Sequence, residues 1–126
     1  MIDAPCTGTG TWRRNPDAKW RMRPGALEVR LAEQVDVLDR AAPLVKPGGR
    51  IAYVTCSVLA EEGPDQVKGF LKRHPDFAVE EPPLARVLGE TAPAFAQAVW
   101  TPDPGVLMTP RKTGTDGFFV CCLRRT

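Results

Sequence analysis

The succession of one long helical stripe and one short β-branched run constrains the fold of this chain more than any other feature. The apolar residues that recur at helical spacing are Leu27, Leu31, Val35 and Leu38. This stripe predicts a helix over residues 25–44. The stop signal Lys-Pro-Gly-Gly follows it, and residues 50–55 are then mostly apolar, as in a buried parallel strand. A helix that leads into such a strand is typical of α/β folds.

Shorter signals extend the pattern on both sides. The other predicted elements are a strand end at residues 1–2, a long loop at 3–24, a second helix at 64–73, a strand at 105–108, a polar turn at 110–116 and a final strand at 118–124. Residues 75–105 are rich in proline and show little periodicity, so only a short helix near 92–98 is expected there. The order predicts an α/β fold that ends in a hairpin.

Length and composition indicate one globular domain. The 126 residues are 43% hydrophobic and 25% charged, a balance found in folded domains. No apolar run approaches the ~20 residues that span a bilayer. Asp3 and Pro5 interrupt any hydrophobic stretch of a signal peptide. A cytoplasmic protein without membrane contact is therefore expected.

The cysteines do not follow the spacing of a metal site. There are four, without a C-x-x-C pair, and one histidine, so no zinc or other metal is expected. In a cytosolic chain they are thiols rather than disulfides. Cys121 and Cys122 lie in the last predicted strand and are interpreted as packing residues. His74, at a helix end before a proline, is interpreted as a cap or surface residue rather than a catalytic base.

A basic segment with aromatic residues follows the first predicted strand. Residues 12–30 hold six lysines and arginines against Asp17 and Glu28, a local charge of +4, and include Trp12 and Trp20. Cations that meet phosphates and rings that stack on bases suit a nucleic acid. A solvated loop whose tryptophans pack on the core is the alternative, and charge alone leaves both interpretations open.

Two of the cysteines follow two predicted strands. Cys6 ends the run Asp-Ala-Pro-Cys after the first strand, and Cys56 follows residues 50–55. Ligand sites in open α/β sheets collect beyond the carboxyl ends of the strands. If the two strands are neighbours, ~4.8 Å apart, both thiols face one crevice and reach one small ring. A single cysteine is more often a small buried hydrophobe, but a pair at matching strand ends favours a site.

Five motifs succeed one another along most of the chain. They are Asp3-Ala-Pro-Cys6-Thr-Gly-Thr-Gly10, Arg13-Arg14-Asn15-Pro16-Asp17-Ala-Lys19-Trp20, Lys46-Pro-Gly-Gly49, Tyr53-Val-Thr55-Cys56-Ser57 with Glu61-Glu62, and Gly114-Thr-Asp116-Gly117-Phe118-Phe119. Their order and spacing resemble the C-terminal half of Sun-type (Fmu-type) RNA cytosine-5 methyltransferases. The implied fold is the C-terminal half of a Rossmann-like class I methyltransferase sheet, with two parallel strands, helices and a final antiparallel hairpin.

The resemblance implies a covalent mechanism that uses both thiols. Carbon 5 of cytosine is a weak nucleophile, and addition of a thiolate to carbon 6 activates it. The implied nucleophile is Cys56, Cys6 assists release of the product, and Asp3 contacts the cofactor, S-adenosylmethionine, and the target base. The residues expected to hold the RNA, which is ribosomal RNA by resemblance, are Pro5, Arg13, Arg14, Lys19 and Trp20.

The same resemblance implies that the chain lacks half of a catalytic domain. In the family, a glycine-rich cofactor loop and an acid for the ribose precede these motifs, whereas Gly8-Thr-Gly10 is interpreted as turn chemistry. We expect residues 1–126 to be the C-terminal portion of one methyltransferase domain, with weak or no cofactor binding alone. An exposed sheet edge also predicts self-association into a homo-oligomer.

Two other functions stay open at this point. A DNA cytosine-5 methyltransferase would use Cys6, the Pro-Cys thiol, as its nucleophile. A non-catalytic RNA-binding fragment would keep the basic loop and lack the cofactor half. A thiol-redox role is a more distant third, because no C-x-x-C motif supports it.

Overall fold

A computed structural model describes residues 1–80, 97 and 103–126 of the chain. The strands of this described part are β1 (Ile2–Asp3), β2 (Arg50–Thr55), β3 (Phe77–Glu80), β4 (Val106–Met108) and β5 (Phe118–Arg125). Its α-helices are α1 (Ala18–Arg21), α2 (Ala26–Ala41), α3 (Pro64–Arg73) and α4 (Pro110–Thr113). Short 3-10 turns occupy Thr9–Thr11, Ala42–Leu44 and Ala60–Glu62.

The central strands of the sheet are β2 and β5. β1 pairs with β2 in parallel, with Asp3 opposite Val54. β5 runs antiparallel to β2, with Thr55 opposite Phe119. β3 and β4 share the other edge of β5, β4 beside its first residues and β3 beside its last. The carboxyl ends of β1 and β2 and the start of β5 therefore meet at the same end of the sheet.

The core lies between one face of this sheet and the helices α2 and α3. Alternate residues of β2 and β5 supply the sheet side, as the two-residue period of a strand requires. These residues are Ile51, Tyr53, Thr55, Phe119, Cys121 and Leu123. Leu38 of α2 and Val67 and Phe70 of α3 are fully buried against them. The two helices thus cover one face of the sheet, and the cysteine loops follow the carboxyl ends of β1 and β2.

Helix α3 begins and ends at the predicted residues. Pro64 stands in its first turn, where a missing N–H costs no hydrogen bond. His74 is the C-cap, and its N–H donates to Phe70 O at 2.8 Å. The His74 ring stacks on Phe70, and its Nε2 lies 2.9 Å from Asp39 Oδ1. The interpretation of His74 as a helix-end cap is therefore confirmed.

The structure confirms the α/β order, the parallel pair β1–β2 and the final hairpin of β4 and β5. Cys121 is buried in the core, and Cys122 is half-buried on the opposite face of β5, so both are packing residues as predicted. Within the described residues, none of the helices is both long and apolar enough to cross a membrane.

Three segments differ from the prediction. β3 forms within the proline-rich region because its backbone pairs with the end of β5. The predicted loop 3–24 contains the helix α1, and the predicted turn 110–116 contains α4. In α4 the Thr109 side chain caps the helix by accepting from Lys112 N at 3.3 Å. The predicted helix near 92–98 lies outside the described residues.

Candidate active site

The two thiols predicted to share a crevice are in direct contact. Cys6 Sγ and Cys56 Sγ lie 3.2 Å apart. The sheet register produces this contact, because Ala4 N donates to Val54 O at 2.9 Å and each cysteine stands two residues beyond that bond. Both side chains are half-buried. The arrangement offers a pair of sulfur atoms beyond the carboxyl ends of the strands, where ligands bind in α/β folds.

The environment of Cys6 favours the protonated form of its thiol. Burial, then the hydrogen bond to Cys56 and the repulsion from its sulfur, raise the pKa of Cys6 to about 12. A thiol in this state keeps its proton at neutral pH. Cys6 therefore retains a thiol proton that it can share across the 3.2 Å contact with Cys56.

Backbone contacts fix the loop after Cys6 against the loop after Cys56. Gly10 N donates to Cys56 O at 2.9 Å, and Gly117 N donates to Gly10 O at 2.8 Å. Thr9 Oγ1 lies 3.1 Å from Ser57 Oγ. A Cβ atom at Gly10 would stand 2.0 Å from Gly117 O, so only glycine permits this approach. The glycines of Gly8-Thr-Gly10 thus serve loop packing, in agreement with their interpretation as turn chemistry.

A buried polar cluster lies beneath the Cys6 loop. Glu62 and Gln34 are fully buried, and the side chains of both make hydrogen bonds to the loop. Glu62 accepts from Thr7 N at 2.8 Å and from Thr7 Oγ1 at 2.5 Å. Gln34 Nε2 donates to Pro5 O at 2.8 Å and to Glu62 Oε1 at 3.1 Å. Sequence reasoning assigned no role to this cluster, although a glutamine within the apolar stripe of α2 was a visible signal.

The two arginines expected to hold RNA have an acidic partner within the chain. Arg13 Nε lies 2.7 Å from Asp116 Oδ1, and Arg14 Nε lies 2.7 Å from Asp116 Oδ2. Asp116 is only 13% exposed at its side chain, while the arginines are 44% and 58% exposed. A hydrogen bond from Arg13 lowers the pKa of Asp116, and a second one from Arg14 adds to this effect. Desolvation acts in the opposite direction, but the pKa stays below its usual range. The arginine pair therefore anchors the basic loop to the turn before β5 as well as facing solvent.

Lys19 and Trp20 stand apart from this pair, on α1. Lys19 Nζ lies 4.9 Å from the centre of the Trp20 ring, a cation–π contact. The Trp20 side chain is 80% exposed. An exposed indole beside a cation is a surface on which a base can stack.

A cavity of about 690 Å³ opens beside Cys6. Its walls are Cys6, Thr7 and the segment from α1 to the start of α2. Three arginines line it, Arg21, Arg23 and Arg30. Arg21 pairs with Asp17 at 3.0 Å and Arg30 with Glu33 at 2.6 Å, whereas Arg23 has no ion pair within the described part of the chain. These arginines belong to the predicted basic segment, but the sequence did not distinguish them as neighbours of a thiol.

Asp3 lies at the carboxyl end of β1 and is exposed. Pro5 is also exposed, between Asp3 and the thiol of Cys6. Asp3 thus places one exposed carboxylate at the strand end that leads to Cys6.

Solved structures identify the class of fold. The crystal structure of PH0851 superposes with a TM-score of 0.78 at 34% identity, over 98% of this chain and 25% of that one. A methyltransferase homologue from Pyrococcus horikoshii superposes with a TM-score of 0.67 at 22% identity, over 99% of this chain and 38% of that one. The described residues therefore share the α/β fold of the matching parts of these structures.

Sequence comparison defines the family within that class. Ribosomal RNA small subunit methyltransferase B of Salmonella newport is 41% identical over 120 residues, and that of Salmonella dublin is 43% identical over 121. The alignments cover 94% of this chain and 24% of each relative, so the chain spans about a quarter of their length. Because the family's sequence model matches residues 1–124, the chain belongs to the 16S rRNA methyltransferase RsmB/F family.

Proposed function

We propose that this chain forms the base-handling part of an enzyme that methylates carbon 5 of cytosine in ribosomal RNA through a covalent adduct on Cys56. Membership of an rRNA methyltransferase family supports the class of substrate. The observation that carries the proposal is the Cys6–Cys56 contact of 3.2 Å at the ends of two parallel strands. A methyl transfer that needed only the cofactor would have no use for two adjacent thiols.

Cys56 is the proposed nucleophile. Its thiolate adds to carbon 6 of the cytosine, and the ring electrons move so that carbon 5 becomes nucleophilic. Its position after β2 suits this role, because Gly10 N donates to the Cys56 carbonyl and the Thr9–Ser57 contact holds the next residue. These bonds restrict the backbone that carries the Cys56 sulfur, and a positioned nucleophile needs less reorganisation to reach the ring.

Cys6 is the proposed partner for release of the product. When a water molecule takes the proton from carbon 5, the electron pair forms the 5,6 double bond and the bond from carbon 6 to sulfur breaks. The departing Cys56 thiolate gains stability from the Cys6 thiol, which keeps its proton because its pKa is raised to about 12. A charge-assisted hydrogen bond to a leaving group lowers the barrier of elimination.

Asp3 is the proposed contact for the cofactor and the target base. S-adenosylmethionine supplies an electrophilic methyl group when bound. The exposed Asp3 carboxylate, three residues before Cys6, can accept a hydrogen bond from the exocyclic amine of cytosine. This contact orients the ring so that its carbon 6 faces Cys56. We also propose that residues 1–126 are the C-terminal portion of one catalytic domain, since Asp3 is the single cofactor contact predicted in this chain.

The RNA strand is proposed to enter along the cavity beside Cys6. Arg21, Arg23 and Arg30 line it and suit phosphate groups next to the target nucleotide. Lys19 and Trp20 offer a stacking surface for an unpaired base. A nucleotide must leave its stack to reach Cys56, and an unpaired RNA segment makes this inexpensive. Ribosomal RNA as substrate also favours a cytoplasmic location.

The outer edge of β1 is proposed as a site of self-association. Within the described residues β1 pairs only with β2, so its other edge is free to pair with a second copy. Light scattering of the 126-residue chain is expected to show a mass that grows with concentration. A single monomer mass at high concentration would contradict this part of the proposal.

Methyl transfer by the complete enzyme that contains these residues tests the function. Cys56→Ala is expected to abolish transfer of labelled methyl groups to ribosomal RNA and to form no covalent complex. Cys6→Ala is expected to accumulate protein bound covalently to RNA, because release of Cys56 is slowed. Cys122→Ala, at a half-buried cysteine on β5, is the matched control and should behave as the wild type. Full activity of Cys56→Ala would refute the proposal.

A further inference from the structure

Cys6 lies between two residues whose backbone is hydrogen-bonded by buried side chains. The backbone on both sides of Cys6 is held from below. Pro5 O accepts from Gln34 Nε2 at 2.8 Å, and Thr7 N donates to Glu62 Oε1 at 2.8 Å. We propose that Gln34 and Glu62 are positioning residues that set the distance between the two thiols. The catalytic consequence rests on the proposed function, whereas the thiol geometry does not.

The hydrogen bonds hold the backbone on both sides of Cys6. Gln34 lies on α2 and Glu62 on the 3-10 turn before α3, so two separate elements bond to the residue before and the residue after Cys6. Gln34 Nε2 also donates to Glu62 Oε1 at 3.1 Å, which links the two side chains. The Tyr53 hydroxyl donates to Glu62 O at 2.9 Å and fixes the backbone of the turn to β2. These hydrogen bonds therefore fix the position of Cys6 relative to β2, the strand that Cys56 directly follows.

The hydrogen bonds of this cluster are directed at one stretch of backbone. A buried carboxyl group needs a partner for each oxygen, and Glu62 finds them in Thr7 and Gln34. Gln34 is also fully buried, and its Oε1 has no hydrogen-bond partner in the described structure. What the polar pair adds is a defined position for the Pro5–Thr7 backbone.

The position matters because thiol chemistry depends steeply on distance. A displacement of about 1 Å at a reacting group can cost about 100-fold in rate. Loss of either hydrogen bond lets the Pro5–Thr7 backbone move, because one of its two side-chain partners is gone. The predicted effect is a wider and more variable Cys6–Cys56 distance in a chain that remains folded.

Phenylarsine oxide measures this distance without any methyl transfer. Its arsenic forms bonds to both sulfurs, and the two thiol protons leave with the oxide oxygen as one water molecule. Only a close pair of thiols binds it tightly. Cys6→Ser and Cys56→Ser must each remove tight binding to the 126-residue chain, which assigns the signal to this pair. If tight binding survives both, the two thiols are not paired and the proposal fails.

The decisive variants replace the polar pair by side chains of similar size. Gln34→Met removes both donated bonds and the unpartnered oxygen, so the melting temperature should change little while the arsenical binds about tenfold more weakly or worse. Glu62→Met should weaken binding similarly. Glu62→Gln should restore it, because its oxygen accepts from Thr7 N and its amide donates to Thr7 Oγ1. Glu61→Gln, at the exposed neighbour, is the matched control and should bind as the wild type.

The same variants in the complete enzyme separate this proposal from the proposed function. If Gln34→Met binds the arsenical as tightly as the wild type, the positioning role is wrong whatever the enzyme does. If binding falls while the rate of methyl transfer is unchanged, the positioning role stands and the proposed use of Cys6 in catalysis is refuted. We expect both to fall together in Gln34→Met and to recover together in Glu62→Gln.

Discussion

Gly10 is where the loop that carries Cys6 passes closest to the turn before β5. A Cβ atom added there would meet three backbone atoms of Gly117, at 2.0, 2.6 and 2.8 Å. Backbone atoms cannot rotate away as a flexible side chain can. Ordinary van der Waals contact begins near 3.4 Å, so Gly10→Ala must push the loop and the turn apart by more than 1 Å.

The displacement removes the hydrogen bonds that depend on this approach. Gly117 N donates to Gly10 O at 2.8 Å and Gly10 N donates to Cys56 O at 2.9 Å. Each is worth about 1 kcal/mol, so Gly10→Ala should destabilise the chain by about 2 kcal/mol. For a domain of this size that lowers the melting temperature by roughly 6–10 °C. A shift of this size beside Cys6 should also slow methyl transfer by about 100-fold.

Gly69 provides the matched control for the substitution. It lies inside α3, and an added Cβ would meet only Arg73 Nη1, the end of a flexible side chain, at 3.3 Å. Gly69→Ala should therefore stabilise the chain by about 0.5–1 kcal/mol, as alanine does within helices. Thermal melts of the 126-residue chain followed by circular dichroism measure both variants. A Gly10→Ala melt equal to the wild type would refute the close approach of the two loops.

Three further measurements concern the end of α3, the thiol pair and the cofactor. Burial acts to raise the pKa of Asp39, but hydrogen bonds from Arg73 and His74 outweigh it and hold the pKa below the usual range. Asp39→Asn should therefore lower the free energy of unfolding by less than about 1 kcal/mol above pH ~4. Melts should show this difference vanish at lower pH, and a difference that persists there contradicts the assignment. Alkylation of Cys6 by iodoacetamide, followed by mass spectrometry, should have a midpoint well above pH 9, and a midpoint at or below the ordinary thiol value contradicts the raised pKa. Calorimetric titration of the chain with S-adenosylmethionine should show no micromolar binding, and micromolar binding would show that the chain holds a complete cofactor site.

The thiol pair could be predicted from the sequence because one geometric rule determines it. Parallel neighbours place their carboxyl ends together, so cysteines after β1 and β2 must meet if those strands pair. The 50-residue separation of Cys6 and Cys56 has no effect on this rule. The helix α2 and the strand β2 were equally predictable, since each has a clear period.

Other features depend on contacts between distant segments, which a local pattern does not contain. Arg13 and Arg14 meet Asp116 only because the glycines at 10 and 117 bring their loops together. The strand β3 has four residues and no alternation that stands out, and it forms because β5 offers a free edge and Glu80 pairs with Arg50.

The buried pair of Gln34 and Glu62 was not predicted, for a different reason. Gln34 lies within the apolar stripe of α2. A helix is predicted from the apolar residues that recur at helical spacing, so a polar residue among them is not used in the prediction. A polar residue on the buried face was visible, but its partners Pro5 and Glu62 lie 29 and 28 residues away. The sequence indicates that such a residue needs a partner, while only the fold identifies which one.

The identity of the attacking thiol is the central claim, and one measurement tests it most directly. The complete enzyme is incubated with S-adenosylmethionine and RNA that carries 5-fluorocytosine, whose fluorine blocks the loss of the carbon 5 substituent and traps the adduct. Proteolysis and mass spectrometry then locate the modified cysteine. We predict that the RNA is attached to Cys56, with Cys6 unmodified. Attachment at Cys6 instead would contradict the proposed roles of both thiols and favour the DNA-type mechanism.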